Sequence, residues 1–338
     1  RDLVADQLQI AAGEPLAFGQ PDVRRDGHAI EVRLYAEDAE AGFLPATGRV
    51  EAIRWPAGDG VRVDSGIDAG SDVSARFDPL LAKVISWGAD RPQALDRLRR
   101  ALDETLVLGP ITNLRFLRWL VRQPWIVDGQ ARVDTLESAW MTAPERAFAV
   151  PDAAWRSAAA AWAGFTSADR RAGVAASADP WTDGWRMNGP GVVRLSAEGE
   201  DRSVALASSG GLSGPAETEA RATAVAPDGS VLADVDGRTV AFRLASPPQL
   251  ERARKGAGGG GDRGSGGGAQ VVAPMPGSVL AIHVQDGAEV AAGDPIATLE
   301  AMKMEHVVTA PFGGTVVEIG VHVGEHVLRG TALATVEP

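Results

Sequence analysis

Apolar positions along this chain recur with two periods, and the change of period divides it. Between residues 91 and 108, Leu95, Leu98, Leu102 and Leu106 form one stripe at helical spacing. Gly109 then reads as the residue after the helix and Pro110 forbids continuation. Residues 1–13 carry Leu3, Val4, Leu8 and Ile10 and predict an amphipathic helix ended by Gly13 and Pro15. Asp78 and Pro79 fit the N-cap and first position of a helix through Leu80, Leu81, Val84 and Ile85. A short helix is expected over 114–123, stopped by Pro124. Another is expected over 152–164, with Trp155, Ala158, Ala159 and Trp162 on one face. Period-two alternation predicts strands at 29–35, 49–54 and 61–64, then a run of short strands at 192–197, 203–207, 219–226, 230–235 and 239–244. Within that run, Asp228-Gly229 and Asp236-Gly237 are hairpin signals.

The last part of the chain repeats itself. Residues 271–300 (VVAPMPGSVLAIHVQDGAEVAAGDPIATLE) align without a gap on 308–337 (VTAPFGGTVVEIGVHVGEHVLRGTALATVE), with 13 identities in 30 positions. Pro274 pairs with Pro311, Gly277 with Gly314, Gly287 with Gly324 and Gly293 with Gly330. Two copies of one short unit, each cut by Gly and Pro turns, predict a small β-barrel or sandwich with quasi-twofold symmetry. The segment between the copies, residues 301–307, is then a hairpin, and Lys303 lies at or near its exposed tip. The chain holds three lysines (Lys83, Lys255 and Lys303) among 33 basic residues, so a lysine between Met302 and Met304 stands out. An amine on a long flexible stem at a reachable turn is a good target for acylation. Taken alone, Met-Lys-Met reads as a solvated lysine beside two core methionines; its place between the repeats reverses that reading.

Composition narrows the classes. The net charge of −12 argues against a nucleic-acid-binding surface. The absence of cysteine excludes a disulfide frame, a thiolate metal site and a cysteine nucleophile. No apolar run approaches the length of a membrane span, and no signal peptide opens the chain. A soluble cytoplasmic protein is the expectation, and the start at Arg1 inside an apparent helix suggests that upstream sequence is missing. His283, His306, His322 and His326 fall in the β-repeat region, where an i, i+4 ligand pair does not form, so they read as surface residues. Residues 256–269 (GAGGGGDRGSGGGA) read as a flexible linker. A linker of that length spans roughly 20 Å on average and at most about 50 Å when extended.

Three stretches resemble known families. Ala273–Pro274–Met275–Pro276–Gly277 with Glu300–Ala301–Met302–Lys303–Met304 resembles the biotinyl/lipoyl carrier domain, in its biotin form. The resemblance implies a flattened barrel with biotin attached covalently to Lys303, and Met302 and Met304 framing it. Gly27–His28–Ala29–Ile30–Glu31–Val32–Arg33 running on to Asp38, the Phe43–Gly48 stretch FLPATG and the Phe77–Val84 stretch FDPLLAKV resemble the C-terminal third of ATP-grasp biotin carboxylase. That resemblance puts Arg33 in the place of the family's catalytic arginine beside the biotin ureido group. A fixed guanidinium suits the enolate-like oxygen formed when the ureido nitrogen loses its proton. Without the resemblance, Arg33 is an exposed strand arginine paired with Glu31 or Glu37; Asp78 is accounted for by helix capping. The helix-then-strands pattern of the middle resembles, by position, the linking domain of acyl-CoA carboxylases. Its Trp155, Trp162, Trp181 and Trp185 are candidate interface anchors, with packing inside the domain the plainer reading.

The expected organisation is a multidomain α+β chain: a biotin carboxylase C-terminal region (1–140), a β-rich linking domain with a helix that docks a β subunit (141–255), the Gly-rich linker (256–269) and an all-β carrier (270–338). The resemblance implies the C-terminal portion of the α subunit of a biotin-dependent acyl-CoA carboxylase. In the whole enzyme, ATP, Mg2+ and bicarbonate would load a carboxyl group onto biotin at Lys303. A carboxyltransferase β subunit would pass it to an acyl-CoA such as 3-methylcrotonoyl-, propionyl- or acetyl-CoA. A biotin protein ligase is the other implied partner; nucleic acid and membrane are not. The family's nucleotide- and metal-binding motifs match nothing in these 338 residues, so this chain alone is expected to show no bicarbonate-dependent ATPase activity. Three rival readings share the barrel: a lipoyl carrier of a 2-oxoacid dehydrogenase complex, a membrane-fusion adaptor and a sodium-pump decarboxylase carrier. The first needs an acyltransferase motif and the second long heptad helices, neither of which the sequence contains. The third would not be fused to ATP-grasp sequence.

Overall fold

The computed structural model describes residues 1–171, 191–206, 223–245 and 269–338. The first region is built on a three-stranded antiparallel sheet in which Leu80–Gly88 lies between His28–Tyr35 and Val61–Ser65. Ile30, Val32 and Leu34 face the core, while Glu31 and Arg33 face outward, as alternation requires. The helix Arg91–Glu104 covers the inner face with Leu95, Leu98 and Leu102, which join Leu34, Val84, Leu117 and Trp140 in one core.

Several sequence expectations fail here for tertiary reasons. Residues 80–85 form a strand, not a helix. Asp78 does not cap a helix; its Oδ1 accepts the Leu80 N–H at 2.9 Å in a local turn. A central strand shielded on both faces reads as a continuous apolar run, and such a run fits either period. The helix expected to reach Leu108 ends at Glu104. Thr105 is extended, and its hydroxyl donates to the Ala101 carbonyl at 2.8 Å. The buried Arg118 guanidinium donates to the carbonyls of Leu102 (3.0 Å) and Thr105 (3.1 Å), satisfying groups a longer helix would have used. Leu106–Leu108 then pairs as a strand with Ala52–Arg54. Gly109 is therefore no helix cap. A Cβ there would lie 2.0 Å from the Arg49 carbonyl oxygen, so the position needs glycine for close backbone approach. Pro124 opens the helical turn Pro124–Val127 after the helix Leu114–Leu120 has ended. The strand expected over 49–54 is split into Gly48–Arg49 and Ala52–Arg54. The N-terminal helix is Leu3–Ala11, capped by Asp2, with none of its residues buried.

The middle region places the helix Asp152–Arg171 against a five-stranded antiparallel sheet of order Glu200–Ala205, Val192–Ala197, Arg238–Leu244, Val231–Val235, Thr223–Val225. Asp236 and Gly237 make the hairpin turn read from sequence, both with positive φ (52° and 89°). Trp155 is buried against Phe242 and Trp162 packs at the edge of the same core, so neither is a free anchor. Trp181 and Trp185, residues 219–222 and most of the Gly-rich linker lie outside the described residues.

The middle sheet is tied to the first region through buried charge. Arg238 is bidentate to Asp38 (2.8 and 3.1 Å) and also reaches Glu40 at 2.9 Å. Burial alone would raise the Asp38 carboxyl, but the Arg238 bonds outweigh it and hold the group below its usual range. Thr239 donates to the Val107 carbonyl at 3.0 Å, and Leu106 and Leu108 pack against Leu232.

The C-terminal region confirms the repeat strand by strand. One four-stranded sheet has the order Ala269–Val272, Ala332–Glu337, Gly314–Ile319, Glu289–Val290. The other has the order Met304–Thr309, Pro295–Ala301, Gly277–Ile282, His326–Val327. Adding 37 to the members from the first copy gives those from the second, and the exchange carries one sheet onto the other. Even the bulges correspond: the register slips between Val279 and Ala281 in one copy and between Val316 and Glu318 in the other. Each sheet thus mixes strands of both copies around a single core that includes Val279, Leu299, Val316 and Val336.

Candidate functional site

Ala301 pairs with Met304 at the end of the ladder between Pro295–Ala301 and Met304–Thr309, which leaves only Met302 and Lys303 in the turn. Both have positive φ, 51° and 64°. This is the I′ geometry, usually filled by Asn-Gly because side chains other than those of Gly, Asn and Asp resist the left-handed region. The hairpin is tighter than the 301–307 segment expected from sequence. The ladder overrides the local preference, and two further contacts hold the turn. Met302 is buried (3% exposed) and its N–H donates to the Ala75 carbonyl at 3.0 Å. Met304 is 42% exposed, so only one of the two methionines is a packing residue. Lys303 is exposed, and among the described residues it makes no ion pair. Directly beneath, Glu300 and Glu305 stand opposite each other across the ladder, both exposed. A reachable amine on a rigid two-residue turn fits covalent attachment of an acyl cofactor such as biotin.

The tip sits beside the loop that precedes Leu80–Gly88. A cleft of about 440 Å³ is lined by Ala75 and Arg76 on that side and by Ser278, Glu300, Ala301, Met302, Lys303 and His326 on the barrel side. Nothing in the sequence pointed to Ala75 or Arg76, because their relation to Lys303 exists only in three dimensions.

Arg33 lies on the outward face of its strand and is not among the residues that line the Lys303 cleft. Its Nε is 3.5 Å from Glu31 Oε1, and its cross-strand partner is Lys83, which pairs in turn with Asp64. The Tyr35 side chain, through hydrogen bonding and charge, and then hydrogen bonding with Glu31 raise the guanidinium above its ordinary value, so it stays charged. The strand edge that carries it is fixed by Asn113, which sequence reasoning missed. Asn113 Oδ1 accepts the Tyr35 N–H at 3.0 Å, its Nδ2 donates to the Arg33 carbonyl at 3.3 Å, and its own N–H donates to the Tyr35 carbonyl at 3.1 Å. One buried side chain thus replaces a neighbouring strand. Glu37, close by, is pushed up from 4.5 to about 7, first by burial and then by the charge of Asp78.

Residues 31–138 match the biotin carboxylase C-terminal domain, and residues 269–336 match the family described as biotin-requiring enzyme. The biotin-dependent acyl-coenzyme A carboxylase alpha3 subunit of Mycobacterium leprae is 31% identical over 91% of this chain and 43% of its own length. The propionyl-CoA carboxylase alpha chain of Ruegeria pomeroyi is 30% identical over 91% of this chain and 51% of its own. The chain therefore spans about half the length of these relatives. Among solved structures, the biotin carboxylase domain of Hydrogenobacter thermophilus 2-oxoglutarate carboxylase, in complex with MgADP, ADP and bicarbonate, is 33% identical with a TM-score of 0.42. That match covers 44% of this chain and 32% of the other. The chain thus holds a match to a biotin carboxylase C-terminal domain followed by a match to a biotin-requiring domain, and it resembles part of a biotin-dependent acyl-CoA carboxylase alpha subunit.

Proposed function

We propose that this chain is the C-terminal portion of the α subunit of a cytoplasmic biotin-dependent acyl-CoA carboxylase, and that Lys303 carries the biotin. The observation that carries the reading is an exposed lysine on a rigid I′ turn, inside a biotin-requiring domain that follows carboxylase sequence. Biotin supplies a ureido nitrogen that accepts and releases a carboxyl group. The chain's own residues divide the remaining work. Lys303 tethers the group, and the 256–269 linker gives it reach at high effective concentration. Arg33, permanently charged and fixed by Asn113, offers a guanidinium to the developing ureido oxyanion. Residues 141–255 dock the carboxyltransferase β subunit, which selects the acyl-CoA. A biotin protein ligase installs the cofactor. ATP, Mg2+ and bicarbonate are handled by parts of the subunit outside this sequence, so the 338-residue chain alone turns over no ATP. The lipoyl alternative is not favoured, because the relatives matching 91% of the chain are carboxylase subunits.

The test is incorporation of labelled bicarbonate into acyl-CoA by the full-length subunit with its β subunit. Lys303→Arg abolishes incorporation. Arg33→Ser lowers the maximal rate by about 10²–10³-fold, the scale of losing one oxyanion-stabilising donor. Undiminished transfer by either variant contradicts the assigned roles.

A further inference from the structure

The proposed function assigns no role to the cleft at the foot of the Lys303 hairpin, yet the cleft has the features of a binding site. Its volume, about 440 Å³, falls in the range that holds a small organic group. It mixes apolar walls (Ala75, Ala301, Met302) with a donor, Arg76, an acceptor, Glu300, and two groups that do either, Ser278 and His326. It also exists only while the barrel is seated. Ala75 and Arg76 come from the carboxylase region, Met302 N–H is bonded to the Ala75 carbonyl, and Leu44 and Ala75 pack against the barrel core.

We infer that this cleft is a resting site for the biotinyl group, formed when the carrier docks on the 74–76 loop. The inference rests on the reading that Lys303 bears biotin. A bicyclic ureido group has two N–H donors and one carbonyl acceptor on an apolar frame. Glu300 accepts the former, Arg76 donates to the latter, and Ala75, Ala301 and Met302 face the frame. Because Lys303 itself lines the cleft, the tether delivers the group without a search, and weak contacts suffice at that effective concentration. Parking there withdraws the cofactor from solvent between visits to its two reaction sites.

The experiment measures the rate at which streptavidin captures the biotinylated 338-residue chain, with biotin on Lys303 verified by intact mass. Arg76→Ala removes the donor at an exposed loop position, and Leu44→Asp unseats the barrel by a different route. Both variants are expected to be captured at least about fivefold faster than wild type, because the accessible fraction rises as the docked state is depopulated. Hydrogen exchange at the Met302 amide supplies a second readout. It slows on biotinylation of the wild type and does not slow in Arg76→Ala. Equal capture rates on three verified biotinylated chains overturn the resting site alone, and absence of biotin on Lys303 overturns both it and the reading beneath it.

Discussion

At the scale of single residues, the side chains proposed to carry the chemistry are exposed and those that hold them are buried. Lys303 and Arg33 are exposed; Met302, Asn113 and Asp38, which fix or anchor their surroundings, are buried. Lys303 was legible because rarity, repeat symmetry and flanking residues all met at one position. Asn113 was not, since nothing near it in sequence marks a side chain that bonds a strand some 80 residues away. Glu37 was equally silent: its burial and its neighbour Asp78 come from the fold. Its carboxyl is raised in the native state, so between 4.5 and about 7 the folded chain binds more protons than the unfolded one. Stability therefore falls as pH rises through that window. Glu37→Gln is expected to leave stability near about pH 4 nearly unchanged and to raise it by about 1–2 kcal/mol near about pH 8, after allowing for solvent screening. Urea unfolding at the two pH values measures this; an equal effect at both would contradict it.

At the scale of elements, periodicity worked where one face meets solvent and failed where both faces are covered. Alternation locates His28–Tyr35 and Val192–Ala197 to within a residue, whereas Leu80–Gly88 reads as a helix and Leu106–Leu108 as the end of one. In each failure a partner distant in sequence decided the outcome: two flanking strands for the first, Arg118 and the Ala52–Arg54 strand for the second. The barrel repeat was the most legible element because its symmetry constrains it twice. The glycines at the start of equivalent strands show the same constraint, with a Cβ at Gly277 falling 2.5 Å from the Glu300 carbonyl oxygen and one at Gly314 falling 2.0 Å from that of Glu337. Gly277→Ala and Gly314→Ala are each expected to destabilise the barrel by about 1–3 kcal/mol through overpacking. Gly287→Ala meets no atom within 4 Å, and its cost comes only from its φ of +81°. Thermal unfolding of the three variants separates clash from backbone strain.

At the scale of the whole molecule, the regions are joined in two different ways. The first and middle regions share buried charge: Arg238 with Asp38 and Glu40. Removing one partner leaves an uncompensated buried charge, so Arg238→Met is expected to cost about 3–5 kcal/mol. Arg238→Met combined with Asp38→Asn and Glu40→Gln should recover most of that loss in the same unfolding assay. The barrel, by contrast, meets the first region through the Met302–Ala75 bond and a few apolar contacts, and it follows a Gly-rich stretch. A firm joint and a light one suit the scaffold and travelling carrier of the proposed function. No helix among the described residues is long and apolar enough to cross a membrane.

The functional reading depends on Lys303 being the attachment point. The most direct measurement is the intact mass of the chain after co-expression with a biotin protein ligase, for wild type and for Lys303→Ala. The account predicts a single biotinyl increment on wild type and none on the variant. A lipoyl increment, no increment, or an increment that survives in Lys303→Ala would contradict it.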